Sequence, residues 1–524
     1  MNSGFGSLTK GQLVGTIAGL QLTLLLAALD QTIVSNAMPR IIAQLNGFER
    51  YAWVTTAYLV TATASGPIFG RMSDLFGRKW FLLGGAALFV IASALCGASG
   101  LMPLPIDGMT QLIGFRALQG VAGGLIMAVV FTVVGDLFPP ATRGRYIGLF
   151  SGIWALSSMI GPALGGWITD QYSWRWIFYV NLPVGAVALT VLYLAFPHVR
   201  PQVMHRKIDF LGAGALILFL IPLLLGLVGA NTEGWTSPKV ILELIFSMVM
   251  MIVLYSIEKR ATEPIVPPAL LQNPEIRTAT FIIACAAMGM FSVVLFVPLF
   301  IQTVLGVSAT RAGALYTPLL LCMSTTSALS GQLVSRTGRY KIFANVGLCT
   351  VTLAMLAFAT YNNHTSLPTI VATIAAVGIG LGMTMPVCAL IVQNAAPLNM
   401  IGAATALSQF WRSIGATLGS AVMGSLMQSR YLSAVHQCKL PPLPASVANQ
   451  LLNPARLLYA KHNIVSAMSN TAEGAQLVKE LFNNVSVALT YSLHGVFLFA
   501  ASVTGLAALV SLSLREKPLR GHDT

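Results

Sequence analysis

Apolar runs of spanning length recur along this chain and leave little room for any other architecture. They lie near residues 12–38, 52–70, 80–100, 109–135, 146–169, 176–196, 210–230, 240–257, 278–303, 312–334, 342–361, 368–393, 402–428 and 487–513, fourteen in all. A helix needs about 20 consecutive apolar residues to cross a hydrocarbon core of ~30 Å. Transmembrane strands would show instead as alternating segments of about ten residues, whereas these runs are continuous. The expectation is an all-α polytopic membrane protein. Composition agrees: 9% of the 524 residues are charged and 56% are hydrophobic, with a mean hydropathy of +0.77. A soluble chain of this length would split into several domains, and this one lacks the charge to cover them.

The net charge of +14 raises the question of nucleic acid, and the placement of the basic residues answers it. With a cytoplasmic N-terminus, the inside loops hold Lys10, Arg71, Arg78, Lys79, Arg143, Arg145, Arg200, Arg206, Lys207, Lys259, Arg260, Arg277, Arg336, Arg339, Lys341, Arg515, Lys517 and Arg520. The short outside loops hold Arg40, Arg50, Arg175, Lys239 and Arg311. That bias is the positive-inside pattern. It predicts a multi-pass protein of the cell membrane with both termini in the cytoplasm and no nucleic-acid partner. Met1–Lys10 has no long charged region, and no small-residue cleavage site precedes Asp30, so the first run is expected to be a retained span. Five cysteines fall in apolar runs and Cys438 stands alone, which suggests neither a metal site nor a disulfide framework. No cofactor is expected. The long outside segment at about 429–486 opens with Pro441, Pro442 and Pro444 and then reads as weak helix around 447–459 and 472–482. It could cap the protein, dock a periplasmic adaptor, or be a tolerated insertion.

A repeat divides the chain. Gly70, Gly77 and Arg78 recur with the same spacing as Gly331, Gly338 and Arg339, 261 residues later. Six spans of about 33 residues each cannot fill that interval, whereas six spans plus an inserted pair can. The expected arrangement is fourteen helices as 6+2+6. Residues 1–197 form an N-terminal six-helix bundle, 198–258 an inserted helix pair, and 259–524 a C-terminal six-helix bundle carrying the 429–486 loop. Two similar halves rocking about a site between them is a common route to alternating access.

Two charges lie where lipid makes them expensive. Asp30 sits in the first run and Arg116 in the fourth. A charge at the bilayer centre costs roughly 2.5–3.5 kcal/mol on insertion scales, so such residues mark functional sites by default. Arg116 cannot lose its proton and needs a counter-charge, carbonyls or water. It is expected to approach the first helix. Asp30 is then either a titrating proton carrier or half of a fixed ion pair.

Here the residues resemble a known family. Gly70…Asp74…Gly77-Arg78 is similar to the loop signature of the major facilitator superfamily, and Arg116-Ala-Leu-Gln119-Gly120 to its second motif. Gly161-Pro162-Ala-Leu-Gly165-Gly166-Trp167 resembles the motif typical of its exporters. Leu29-Asp30-Gln-Thr32-Ile33-Val34 resembles the first-span motif of the fourteen-spanner drug:H⁺ antiporters, the EmrB/QacA type. The resemblance implies the major facilitator fold and a proton-coupled antiporter exporting hydrophobic small molecules. It implies that Asp30 and Arg116 handle the proton. Gln119, Gly120, Arg412 and His494 are accessory positions on this resemblance.

Asp74 can accept from a helix N-terminus or from basic side chains, and Arg78 has Asp136 within reach. With Gly70 and Gly77 they would latch one face shut. In the repeat copy Ser335 replaces the acid. Gly161, Pro162, Gly165 and Gly166 would give a helix that bends and packs closely. The later spans carry no acid, and Glu243 lies near the outer end of the eighth. One proton per cycle is therefore expected, with neutral, anionic or singly cationic lipophiles as substrates and lipid as the surrounding solvent. The rival readings are a dedicated exporter or importer of one metabolite, and a non-transporting membrane scaffold or sensor. An enzyme is excluded by the lack of any nucleophile–base pair, phosphate loop or metal cluster.

Overall fold

The computed structural model describes residues 9–45, 50–138, 140–197, 209–307, 315, 317–437 and 472–516. No strand occurs among them. The first group of helices is α1 (Lys10–Leu45), α2 (Tyr51–Phe76), α3 (Arg78–Gly97), α4 (Gly108–Leu137), α5 (Pro140–Gln171), α6 (Trp176–Tyr179) and α7 (Asn181–Ala195). A pair follows, α8 (Phe210–Thr232) and α9 (Pro238–Glu258). The second group begins with the short α10 (Pro268–Gln272) and continues through α11 (Pro274–Thr303), α12 (Thr317–Thr337), α13 (Lys341–Phe358), α14 (Leu367–Ala395), α15 (Ile401–Gln437) and α16 (Ala472–Ser511). The last two helices run past the apolar stretches at 402–428 and 487–513. The remainder of the outside segment, 438–471, lies outside the described residues, as does the adaptor question attached to it.

Among the described residues, ten helical segments are long and apolar enough to cross a bilayer: those in α1, α3, α4, α6–α7, α8, α9, α11, α13, α14 and α16. The long helices α2, α12 and α15 are not among them, because Ser, Thr and Gly interrupt their apolar runs. Their partners explain the composition. α2 packs on α4 within its own group and on α15 of the other, while α12 packs on α14 and on α5. Each of these helices presents one face to protein across the seam between the groups, and on that face lipid does not dictate the sequence.

The same set of partners recurs in the two groups. α1 packs on α5 and α7, α2 on α4, and α3 on α4 and α7. Correspondingly α11 packs on α15 and α16, α12 on α14, and α13 on α14 and α16. The apolar core divides likewise. One cluster fills the second group, and two fill the first, around Phe89 and around Ile33. α8 packs on both α2 and α15, through a cluster of Leu216 and Leu220 with Ala64, Ile68, Phe410 and Ile414.

Local signals set the helix ends. Asp107 caps α4, its carboxylate accepting from Thr110 N at 3.1 Å. Hydrogen bonds from Thr110 and Arg50 hold that carboxyl well below the ordinary range. The repeated motif turns on a glycine in each copy, Gly77 at φ 101° and Gly338 at φ 68°. A side chain resists such angles by roughly 1–2 kcal/mol. Gly77→Ala and Gly338→Ala are each expected to lower the midpoint of thermal unfolding in detergent. Gly84→Ala, whose added Cβ meets nothing within 4 Å, leaves the midpoint unchanged or raises it. Equal midpoints for all three would refute the account of the turn.

Candidate functional site

Asp30 is fully buried at the meeting of α1, α3, α4 and α7. Arg116, also buried, forms an ion pair with it. Gln119 Nε2 donates to Asp30 Oδ1 at 2.9 Å and Asn181 Nδ2 donates to the same oxygen at 3.1 Å. Both amides are oriented by Ser93 Oγ, which accepts from Gln119 at 3.2 Å and from Asn181 at 2.9 Å and donates to Phe178 O at 3.0 Å. Arg116 is held in turn by Gln119 Oε1 at 2.7 Å and Val54 O at 3.3 Å, with its guanidinium 4.5 Å from the Tyr58 ring centroid. A buried ion pair survives only when further hydrogen bonds satisfy its remaining groups, and this one has them. The carboxylate thus accepts three donors, two on Oδ1 and one on Oδ2.

The sequence pointed to Asp30, Arg116 and Gln119 but missed Ser93, Asn181 and Tyr58. Asn181 had a readable signal. Pro183 offers no N–H to the carbonyl four residues back, and the sixth apolar run breaks between α6 and α7, where Asn181 begins the new helix. Nothing local marked Ser93.

The exporter-type motif lies against the same helix. A Cβ on Gly161 would collide with Thr32 Oγ1, and one on Gly165 would meet Ile33 Cγ1 at 2.9 Å. Thr32 Oγ1 donates to Ser157 O at 3.0 Å. α5 therefore clamps α1 within one turn of Asp30. Gly166 meets nothing within 4 Å, and the side chain of Pro162 lies outside the described residues. Gly120 belongs to a different contact, where α4 crosses α2 so closely that a Cβ would strike Thr61 Oγ1 and the Tyr58 backbone.

Asp74, Arg78 and Asp136 meet at the far end of α2. Arg78 ion-pairs with Asp74, and its Nε donates to Asp136 Oδ2 at 3.0 Å. Asp74 also accepts from Gly402 N at 3.1 Å and Ala403 N at 3.0 Å. Those are the first-turn N–H groups of α15, so a carboxylate of the first group caps a helix of the second. The pairing combines charge with the positive end of a helix dipole. Gly70 permits the approach, since its Cβ would lie 2.7 Å from Ala406 Cβ. Around it, Arg143 reaches Gln393 at 3.3 Å, and Gly148 packs so closely on α12 that a Cβ would fall 2.7 Å from Ala328 Cα. The seam is shut at this end. Sequence spacing named the latch acids and base but not their helix-end partner, although Pro397 ahead of Ile401-Gly402 is an ordinary helix-start signal.

Arg412 and His494 lie elsewhere. Arg412 Nε donates to Gln409 Oε1 at 2.8 Å. His494 Nε2 sits 2.6 Å from Tyr361 O, tying α16 to the end of α13. No group of His, Cys, Asp and Glu among the described residues could hold a metal.

Comparison with known proteins follows the same lines. The sequence profile of the Major Facilitator Superfamily matches residues 20–420. The multidrug transporter protein MdtP of Bacillus subtilis (strain 168) is 34% identical over 519 residues, covering 96% of this chain and 93% of that one. Multidrug resistance protein 3 of the same organism is 32% identical over 503 residues, covering 95% and 94%. The proton:xylose symporter XylE superimposes with a TM-score of 0.58 at 15% identity over 97% of each chain, a likeness of fold.

If Asp74 holds the seam, removing its charge should open it. Ser327, buried beside the Gly148 contact, is the reporter: Ser327→Cys in a cysteine-free background should react slowly with maleimide. Adding Asp74→Asn should raise the rate about tenfold or more, since a charge-assisted hydrogen bond is worth roughly 1.5–3 kcal/mol. An unchanged rate would mean that the latch does not keep this face closed.

Proposed function

Because this chain belongs to the major facilitator superfamily, whose members are carriers and not enzymes, we propose that it is a proton-driven antiporter exporting lipophilic small molecules across the cytoplasmic membrane. Its relatives named as multidrug transporters support export of more than one compound. We take the spans as fourteen in a 6+2+6 order. The recurring partners of α1–α7 and α11–α16 support the two sixes, and α8 with α9 supply the pair. The basic bias of the loops supports cytoplasmic termini and puts the Asp74 latch on the cytoplasmic side.

The observation that carries the proton reading is the donor shell of Asp30. With Arg116, Gln119 and Asn181 all donating to it, the ionised carboxylate and this arrangement of helices require each other. Protonation removes the need for three donors and supplies an O–H that must find an acceptor. Asn181 Oδ1 is buried and accepts nothing, so its amide can turn and take that role. Such a turn would disturb α7 and α1, and α1 is gripped by α5 at Gly161 and Gly165. α5 carries the change along its length to its contact with α12 at Gly148. In the cycle, Asp30 takes a proton from outside, the protonated carrier turns inward, and release to the cytoplasm allows reloading. No cofactor enters; the proton gradient is the energy source.

A fixed Asp30–Arg116 pair in a dedicated metabolite carrier, or in a protein that transports nothing, is the competing reading. Purified protein in liposomes with an internal pH dye and an imposed gradient decides. Lipophilic compounds are expected to trigger proton movement in the parent and none in Asp30→Asn. Equal fluxes in both would reject Asp30 as the coupling group. Silence from both across a broad panel would favour the competing reading.

A further inference from the structure

Between Glu275 and Glu473 the chain contains no carboxylate at all. Arg412 lies inside that interval, on α15, eleven residues beyond its start at Ile401. At ~1.5 Å per residue that places it about 16 Å along the helix, near the middle of a ~30 Å core. A guanidinium stays charged there, and intramembrane charges face a partner or a water-filled cavity.

Among the described residues the protein supplies no such partner. Arg412 donates through Nε to Gln409 and forms no ion pair among the described residues. Gly415, less than one turn along, packs on Ala284 of α11, about 13 Å above Glu275 at the foot of that helix. Asp30 is committed to Arg116, and α1 is not among the principal neighbours of α15.

The direction of the side chain follows from helix periodicity. Thr405, Gln409 and Arg412 stand at i, i+4 and i+7 and share one stripe. At its lower end Thr405 Oγ1 accepts from Gln393 of α14 at 3.0 Å, and Gln393 also reaches Phe131 O of α4 at 3.4 Å. That stripe therefore looks into the space between the two halves. Phe410 and Ile414, on another face, pack toward α2 and α8. Above the closed seam, Gln409 and Arg412 continue the stripe, and both remain half-buried and not sealed.

We propose that Arg412, with Gln409 orienting it, binds the anionic group of the substrate, so that this carrier recognises lipophilic monoanions bearing a carboxylate or sulfonate. The apolar body of such a molecule would lie along the seam while its charge meets Arg412, which has no acid beside it among the described residues. This rests on the export reading above and narrows its substrate class.

The test is a binding measurement with two probes of matched body, dansyl-undecanoate and its neutral methyl ester, on the purified protein in detergent at constant ionic strength. The parent should bind the anion more tightly than the ester by about tenfold, the worth of one charge-assisted hydrogen bond. Arg412→Gln should lose that preference while its ester affinity stays unchanged, and Arg412→Lys should keep part of it. Equal affinity for the two probes in the parent would overturn the proposal without any variant being needed. Equal loss of both probes in Arg412→Gln would also overturn it, as would simple competition by chloride, which would assign the cation to an inorganic ion. Proton flux driven by dansyl-undecanoate, over that in protein-free liposomes, reports separately on the antiport reading. Its absence in the parent would reject antiport and leave the anion preference standing.

Discussion

A carboxylate and a guanidinium sealed among four helices of the first half set the terms for the rest of this molecule. Neither Asp30 nor Arg116 can be left without partners in a medium of low dielectric, where removing one member of a buried pair costs ~3–5 kcal/mol. The first half is arranged to meet that demand. Gln119 lies one helical turn beyond Arg116 on α4, Ser93 of α3 fixes two amides at once, and the break before α7 brings Asn181 to the carboxylate. The close α2–α4 crossing at Gly120 places Tyr58 beneath the guanidinium. Packing and charge satisfaction are here a single constraint, because the donors to one carboxylate come from separate helices.

α5 is the element that can carry movement from this site. It touches α1 at Gly161 and Gly165 and α12 at Gly148, contacts 13 and 17 residues from Gly148, or roughly 20–25 Å along one helix. At the same end of the seam, Asp74 caps α15. The two halves are therefore joined by a sliding contact and by a charged cap, of different chemistry but at one level. A small displacement at α1 can be levered into separation at the seam, because packed interfaces switch between discrete arrangements and do not deform smoothly.

The sequence exposed this design unevenly. Motifs whose residues lie close in the chain were legible: the latch charges, the glycine run of α5, and Arg116 with Gln119. So was the internal repeat, whose two copies both turn on a glycine of positive φ. What escaped was set by contacts across long intervals. The N–H groups of Gly402 and Ala403 that Asp74 accepts from lie 328 and 329 residues away, and no local pattern announces a backbone donor. Ser93 looked like any small residue in an apolar run. Hydropathy is itself a local measure and is weak for α2, α12 and α15, helices with a face packed across the seam, where protein and not lipid is the neighbour.

The halves differ most in charge. The first holds a neutral pair in its interior, and the second holds Arg412 alone in an interval empty of acids. An uncompensated cation at mid-depth raises the cost of the empty carrier, and a bound anion lowers it. On one proton per cycle, the sign of the substrate then sets the coupling to membrane potential. Outward passage of a monoanion against an inward proton moves two charges in the same sense. A neutral compound leaves one and a monocation none. Each charge is worth ~2.3 kcal/mol per 100 mV, so an anion draws most strongly on an inside-negative potential. On the proposed reading, Asp30 of the first half and Arg412 of the second are complementary parts of one energetic arrangement, the first taking the proton and the second the charge of the substrate.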